Sequence, residues 1–210
     1  MANKITLTER ENIKFNPKTH HRGSIRLKGY DYSRAGAYFV TICTQDKRCL
    51  FGDITEGEMV LNNAGRMVQI VWDELPKYYP GIGTDTFQIM PNHIHGIIVI
   101  VGASPCACPG PHPGTNDGQP RGNGQPRGVT PTLSLPDVVH RFKTMTTKRY
   151  ADGVKKNGWQ PFPRKLWQRN YYEHIIRNES DLNLTRKYII ENPKKWEFDR
   201  ENPNFVRPHA

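Results

Sequence analysis

No run of apolar residues in this 210-residue chain approaches the roughly 20 needed to cross a bilayer, which excludes a helical membrane span. The opening Met1-Ala2-Asn3-Lys4-Ile5-Thr6 has no apolar signal segment, so a cytosolic rather than a secreted protein is expected. Cysteine is scarce. The four present, Cys43, Cys49, Cys106 and Cys108, form no Cys-x-x-Cys pair and read as reduced thiols. Cys106-Ala107-Cys108 beside His112 has a spacing that suits no common zinc framework. There is no Gly-rich loop followed by Lys-Ser/Thr, so phosphate-loop nucleotide hydrolysis is not expected. Without His-x-Glu and Cys-x-x-Cys, a zinc nucleobase deaminase is also disfavoured.

Acidic side chains are outnumbered 20 to 30, leaving a net charge of +10. That excess is unevenly placed: residues 1–36 carry +5, 37–104 carry −3, 105–130 carry +1 and 131–210 carry +7. A slightly acidic centre between basic flanks suits a polyanion gripped from both sides, and equally suits plain solubility.

The length allows one ordinary domain with extensions. Residues 1–36 are polar and read as a basic arm. Residues 37–44 are rich in β-branched and aromatic side chains and predict a strand. After a Gly-containing loop, Asn62 or Asn63 can cap a helix in which Val68, Val71, Trp72 and Leu75 recur at helical spacing, stopped by Tyr79-Pro80-Gly81. Thr84 to Met90 and His93 to Val101 predict two strands joined at the turn dipeptide Pro91-Asn92. Residues 102–131 change character: Pro, Gly and Asn dominate and Gly-Gln-Pro-Arg-Gly occurs twice, at 118–122 and 124–128. Such a stretch cannot bury a core and is expected to be a disordered insertion.

Beyond it, Ser134 and Asp137 resemble a capping box before the stripe Leu135, Val138, Val139, Phe142, Met145. Leu166 to Arg177 predicts a strand, and Ser180 or Asp181 starts a last helix that Pro193 ends. The fold class is therefore α+β, a ferredoxin-like βαββαβ antiparallel sheet with an additional C-terminal helix. One domain spans 37–198, interrupted at 102–131, and 199–210 form a tail. Such a fold by itself specifies no function.

Met90-Pro91-Asn92-His93-Ile94-His95-Gly96 is the sharpest local feature. On a strand, residues two apart share a face, so His93 and His95 lie side by side and can chelate a divalent ion. No Asp or Glu stands near them in sequence, so a third ligand must come from afar. The last helix offers Tyr188 and Asn192, four residues apart and on one face, beside a packing stripe of Leu182, Thr185 and Ile189. An amide oxygen is a hard ligand suited to Mg2+ or Mn2+. Asn192 precedes Pro193, which disfavours helical geometry there. Each of these residues also has an ordinary structural reading: a surface histidine, a packing tyrosine, a helix-terminal asparagine.

Met90-Pro91-Asn92-His93-Ile94-His95, Leu166-Trp167-Gln168-Arg169-Asn170-Tyr171-Tyr172-Glu173-His174 and Tyr188-Ile189-Ile190-Glu191-Asn192-Pro193 together resemble the REP-associated tyrosine transposases. These are the single-tyrosine branch of the HUH endonucleases, similar to small insertion-sequence transposases. The basic opening Arg26-Leu27-Lys28-Gly29-Tyr30-Asp31-Tyr32 adds to the likeness, which covers roughly 22–101 and 132–198. The resemblance implies a bacterial, cytoplasmic, nucleoid-associated enzyme that nicks and rejoins single-stranded or hairpin-forming repeat DNA. It implies His93, His95 and Asn192 as ligands of Mg2+ or Mn2+, and Tyr188 as nucleophile forming a phosphotyrosine. The long insertion and the ending Lys194-Lys195-Trp196-Glu197-Phe198 depart from the family pattern.

Tyr171 and Tyr172 are rival nucleophiles, though with Trp167 and Arg169 they better suit base stacking and phosphate contact, or simply the core. Arg26, Lys28, Lys143, Lys148 and Arg149 are candidate contacts to the DNA backbone. Whether one chain or a homodimer completes the site is left open. The competing reading is a DNA-binding module on the same fold that binds repeats without cutting them.

Overall fold

The structure, a computed structural model, describes residues 26, 27, 29–101 and 133–205. The insertion with its repeated pentapeptide, Cys106, Cys108, His112 and Lys28 lie outside the described residues. Residues up to Tyr30 form a unit of their own, in which Arg26 and Leu27 are exposed and the Tyr30 N–H bonds the Leu27 carbonyl.

In the unit from Asp31 onward the elements run β1 (Gly36–Cys43), β2 (Gly52–Thr55), β3 (Glu58–Leu61), α1 (Asn63–Tyr78), β4 (Ile82–Ile89), β5 (His93–Ile100), α2 (Leu135–Asn157), β6 (Tyr172–Ile176) and α3 (Glu179–Glu191). Four strands form one sheet in the order β4-β5-β1-β6, with every neighbouring pair antiparallel. Apart from the β2–β3 hairpin this is the expected βαββαβ arrangement. The hairpin spans residues expected as loop. Glu56 and Gly57 both take positive φ, 52° and 78°, the backbone that a tight hairpin turn demands.

Local chemistry sets the helix ends. The Asn62 side chain accepts from the Gly65 N–H at the start of α1. Ser134 and Asp137 form the anticipated capping box on α2, which Gly158 ends in the left-handed region at φ 67°. For α3 the cap is Asn178, whose side chain accepts from the Asp181 N–H, rather than Ser180 or Asp181. The Asp181 carboxylate is already engaged by His174 at 3.0 Å.

The sheet divides the helices. Val68, Val71, Trp72 and Leu75 of α1 and Leu135, Val138, Val139 and Phe142 of α2 are buried. Trp72 lies against Gly96 of β5, stacks on Phe87 with ring centroids 4.2 Å apart, and meets Phe142 edge-on. α3 covers the opposite face, where Ile189 and Leu182 pack on Phe39, Ile97, Ala37, Val99 and Ile176. The stripe expected on the last helix is thus its packing stripe. Alternation along β5 then places His93 and His95 on the α3 side, away from Gly96.

Two expectations need correction. The strand predicted over Leu166 to Arg177 is confined to Tyr172–Ile176. Before it, the Lys143 ammonium donates to the carbonyls of Gln168, Arg169 and Asn170, at 2.9, 3.3 and 3.2 Å. Three successive carbonyls turned to one cation curl the chain instead of pleating it. Asn192, expected outside helical geometry, takes φ −60° and ψ −41°. Pro193 opens a 3₁₀ turn, Pro193–Phe198, at a position where its missing N–H is not required, so the chain passes through Asn192 without breaking.

Gly96 is the tightest point of the central strand. A Cβ there would stand 2.5 Å from the Trp72 ring and 3.0 Å from Phe87. Gly96→Ala is expected to lower stability by about 1–3 kcal/mol through overpacking, read as a shifted urea midpoint at unchanged slope.

Candidate active site

The histidine pair is built from the middle of the sheet. In the β1–β5 register His93 opposes Cys43 and His95 opposes Thr41. Both imidazoles are buried, 0% and 3% exposed, and their Nε2 atoms face each other at 2.9 Å. Each ring is held from behind. The Asn92 amide nitrogen donates to the carbonyls of Lys47 and Glu201, which leaves its oxygen to accept from His93 Nδ1 at 2.8 Å. That acceptor requires a proton on Nδ1 and makes His93 Nε2 the acceptor in its contact with His95 Nε2. Thr41 Oγ1 lies 2.8 Å from His95 Nδ1, and Phe39 stacks on the His95 ring.

The carboxylate that sequence reasoning could not find near the pair comes from the far end of the chain. After the 3₁₀ turn, Asp199 places Oδ2 3.5 Å from His93 Nε2. Asp199 lies in the segment expected as a tail, and its separation of more than 100 residues from the histidines left no spacing to read. One ligand atom from each of His93, His95 and Asp199 lies within 4.8 Å of the others. Two nitrogen donors and one carboxylate converging in a buried recess fit a divalent cation. Asn192 is 4% exposed, and its Oδ1 is buried without a hydrogen-bond partner. That orphaned acceptor is consistent with the amide ligand expected there.

Electrostatics suit ligation. Burial pushes the His93 pKa well below its usual value, helped by His95 and Lys47. Burial lowers His95 to about 3, against an opposing pull from the Asn192 amide. Both rings are therefore neutral near pH 7 and need lose no proton to bind a metal. Asp199 moves the other way, its carboxyl pKa raised by burial.

α3 carries Tyr188 over the same recess. Arg186 anchors that helix to β4 through Asp85, with Nε to Oδ1 at 3.0 Å and Nη2 to Oδ2 at 2.6 Å. This forked contact holds the Asp85 carboxyl well below its usual range. The Tyr188 ring lies 5.3 Å from the His95 ring and 5.8 Å from Phe39, and is 47% exposed. Burial raises the Tyr188 pKa; the Asn192 amide opposes it, and Asp199 adds to it. An open cavity of about 620 Å3 runs alongside, lined by His95, Tyr188, Asn192, Tyr172, Asp199 and Lys195 among others.

The remaining predicted contacts divide. Tyr172 is 58% exposed on the cavity wall, edge-on to Phe39. Trp167 is core instead: 4% exposed, packed on Phe51 and Phe142, with its indole N–H donating to Thr146. Tyr171 is buried beneath the Lys143 ammonium, and Lys143 itself is committed to the three carbonyls. Lys148 and Arg149 sit on α2, across the sheet from the histidines, and Arg149 is paired with Glu74 of α1 at 2.6 Å. Arg169 is exposed, next to Gln168, whose N–H bonds the Cys43 carbonyl at the histidine end of the sheet. Missed altogether were Thr41, Asn92, Asp199 and Lys195, ordinary residues until the chain is folded.

The lowered histidine values fix the sign of one pH effect. The unfolded chain protonates both rings as pH falls below about 6.5, while the folded chain refuses the protons, so stability drops in that range. The cost is at most about 1.4 kcal/mol per pH unit for each ring. In chelator, the melting temperature is expected to fall more between pH 7.5 and 5.0 for the native protein than for His93→Gln/His95→Gln. Asp199, shifted upward, works against this trend in both proteins.

Among the described residues, no helix is long and apolar enough to cross a membrane. No known family profile matches the chain. A solved structure of a REP-associated tyrosine transposase bound to a REP hairpin is similar to it at 17% identity and a TM-score of 0.49, covering 83% of this chain and 76% of that one. A Deinococcus radiodurans protein of known structure is similar at 15% identity and a TM-score of 0.40, covering 80% of this chain and 96% of its own. A Haemophilus influenzae protein described as uncharacterized is 42% identical over 188 residues, covering 89% of this chain and 96% of its own length. The chain belongs to one family with that Haemophilus influenzae protein.

Proposed function

We propose that the protein is a metal-dependent single-stranded DNA endonuclease and strand transferase that cuts and rejoins hairpin-forming repeat DNA through Tyr188. The observation that carries this is the meeting of Tyr188 at one cavity with His95 and Asp199, two members of the His93, His95 and Asp199 cluster. The Tyr188 ring meets the His95 ring edge-on, with centroids 5.3 Å apart, which brings the phenol to the recess that holds the cation donors.

The chemistry balances without a cofactor that is consumed. The Tyr188 oxygen loses its proton and attacks the phosphorus of a phosphodiester. The bond from phosphorus to the 3′ oxygen breaks, leaving a 5′ phosphotyrosine and a free 3′ hydroxyl. A second 3′ hydroxyl reverses the step and restores the phenol, so the ester bond is kept throughout. His93, His95 and Asp199, with the Asn192 amide oxygen, would hold Mg2+ or Mn2+, which when bound polarises a non-bridging phosphate oxygen and eases departure of the 3′ oxygen. Tyr172 on the cavity wall would stack a base, worth roughly 1–3 kcal/mol. Lys195 on the same wall, with the exposed Arg169, would supply cations for the DNA backbone.

The test is incubation of the full chain with labelled single-stranded hairpins and Mn2+, then a denaturing gel. A covalent protein–DNA adduct is expected from the native protein and from Tyr172→Phe, and none from Tyr188→Phe or in excess chelator. An adduct that survives Tyr188→Phe overturns the nucleophile; binding with no adduct across several hairpins and metals favours a non-cutting repeat-binding module. A normal tyrosine is about one-thousandth phenolate at pH 7, and Tyr188 is shifted higher still. Adduct formation is therefore expected to accelerate from pH 6 to pH 9, read as initial rates at saturating Mn2+.

A further inference from the structure

Asn92 touches two parts of the site at once. It is 1% exposed, in the turn between β4 and β5, and its own carbonyl accepts from the Thr44 N–H at 2.8 Å. Its amide oxygen faces His93 Nδ1 at 2.8 Å. Its amide nitrogen donates at 3.0 Å to the Lys47 carbonyl and at 2.6 Å to the Glu201 carbonyl. Glu201 stands two residues beyond Asp199, and its N–H bonds Asp199 Oδ1 at 2.7 Å, leaving Oδ2 as the oxygen near His93. Lys47 Nζ also reaches the strap, through solvent-exposed contacts to the Arg200 carbonyl and to Glu201, and Asn202 Nδ2 donates to the Trp196 carbonyl within it. Asn92, 1% exposed, holds the strap from the buried side.

We propose that Asn92 is a positioning residue that couples the donor state of His93 to the seating of the C-terminal strap, so that the three-residue cation set forms only when the strap is latched. The inference rests on reading His93, His95 and Asp199 as a cation site. An amide is the side chain that fits, since it must accept on one side and donate twice on the other. A carboxylate would keep the acceptor for His93 but turn its other oxygen, an acceptor, toward two carbonyls. A shorter side chain would lose both. Residues that orient metal ligands from behind typically change affinity about 10–100-fold when altered.

The experiment uses the full chain as native protein, Asn92→Asp, Asp199→Asn and the double variant, with near-UV circular dichroism as a check of folding. It reads Mn2+ affinity by calorimetry and amide hydrogen exchange over residues 199–205 in metal-free protein. Asn92→Asp is expected to weaken Mn2+ binding by about 10–100-fold and to speed strap exchange about tenfold or more, while β1 and β5 stay protected. The double variant is expected to bind no more weakly than Asn92→Asp, because the carboxylate is already displaced. Additive losses, or strap exchange unchanged in Asn92→Asp, overturn the coupling whatever the metal does. Failure of the native protein to bind Mn2+ or Mg2+ overturns instead the cation reading on which the coupling rests. Should Asn92→Asp misfold, reciprocity decides: Mn2+ must slow strap exchange in the native protein and not in Asp199→Asn. Native strap exchange indifferent to bound Mn2+ overturns the proposal.

Discussion

Thr41 pairs with His95, and Cys43 with His93, across the antiparallel ladder between β1 and β5. Side chains alternate along a strand, so this register decides which face receives the histidines. A slip of one residue would turn both rings toward Trp72 and Phe142 and leave Ile94 in their place. The register is held because the faces differ so sharply. Gly96 must lie under Trp72, where no side chain fits, and Ile97 must lie under Ile189 of α3. Packing on both sides of β5 is thus what aims the imidazoles.

Burying two imidazoles, an amide and a carboxylate in one recess runs against the preference of polar groups for water. Each is compensated singly: His93 by Asn92, His95 by Thr41, Asn92 by two carbonyls, Asp199 by the Glu201 N–H. The two Nε2 atoms, which share one hydrogen bond, a carboxylate oxygen of Asp199 and the Asn192 oxygen lie close together. A stable core would use apolar side chains here. Groups left in this state are the mark of a site at which local stability yields to chemistry.

The elements around the sheet contribute by bringing distant chain to that space. α3 is drawn onto the sheet by Leu182 and Ile189 and anchored through Arg186 and Asp85, and Tyr188 follows from the helical turn. The 3₁₀ turn after Pro193 then bends the chain back so that Trp196 lies against His93, with ring centroids 6.0 Å apart, and Asp199 reaches the pair. On the far face, α1 and α2 pack against each other and the sheet. Their cations serve structure as much as charge: Arg149 pairs with Glu74, and Lys143 gathers the carbonyls before β6.

The amino-acid sequence by itself determined what depends on short range. Strand and helix periods, the caps at Asn62 and Ser134, the alternation that sets His93 beside His95, and the helical spacing of Tyr188 and Asn192 were all legible, because backbone geometry converts local spacing into a shared face. So was the βαββαβ order. The β2–β3 hairpin and the short extent of β6 were not: four-residue strands carry little periodic signal, and the loop before β6 is shaped by Lys143 from another element. Only the tertiary structure decided that Trp167 and Tyr171 fill core while Tyr172 faces the cavity, and that Lys148 and Arg149 stand across the sheet. It alone brought Asp199 to the histidines and gave Asn92 its two-sided hold. Those assignments depend on contacts between residues far apart in the chain, and no local spacing encodes a distance that only packing creates.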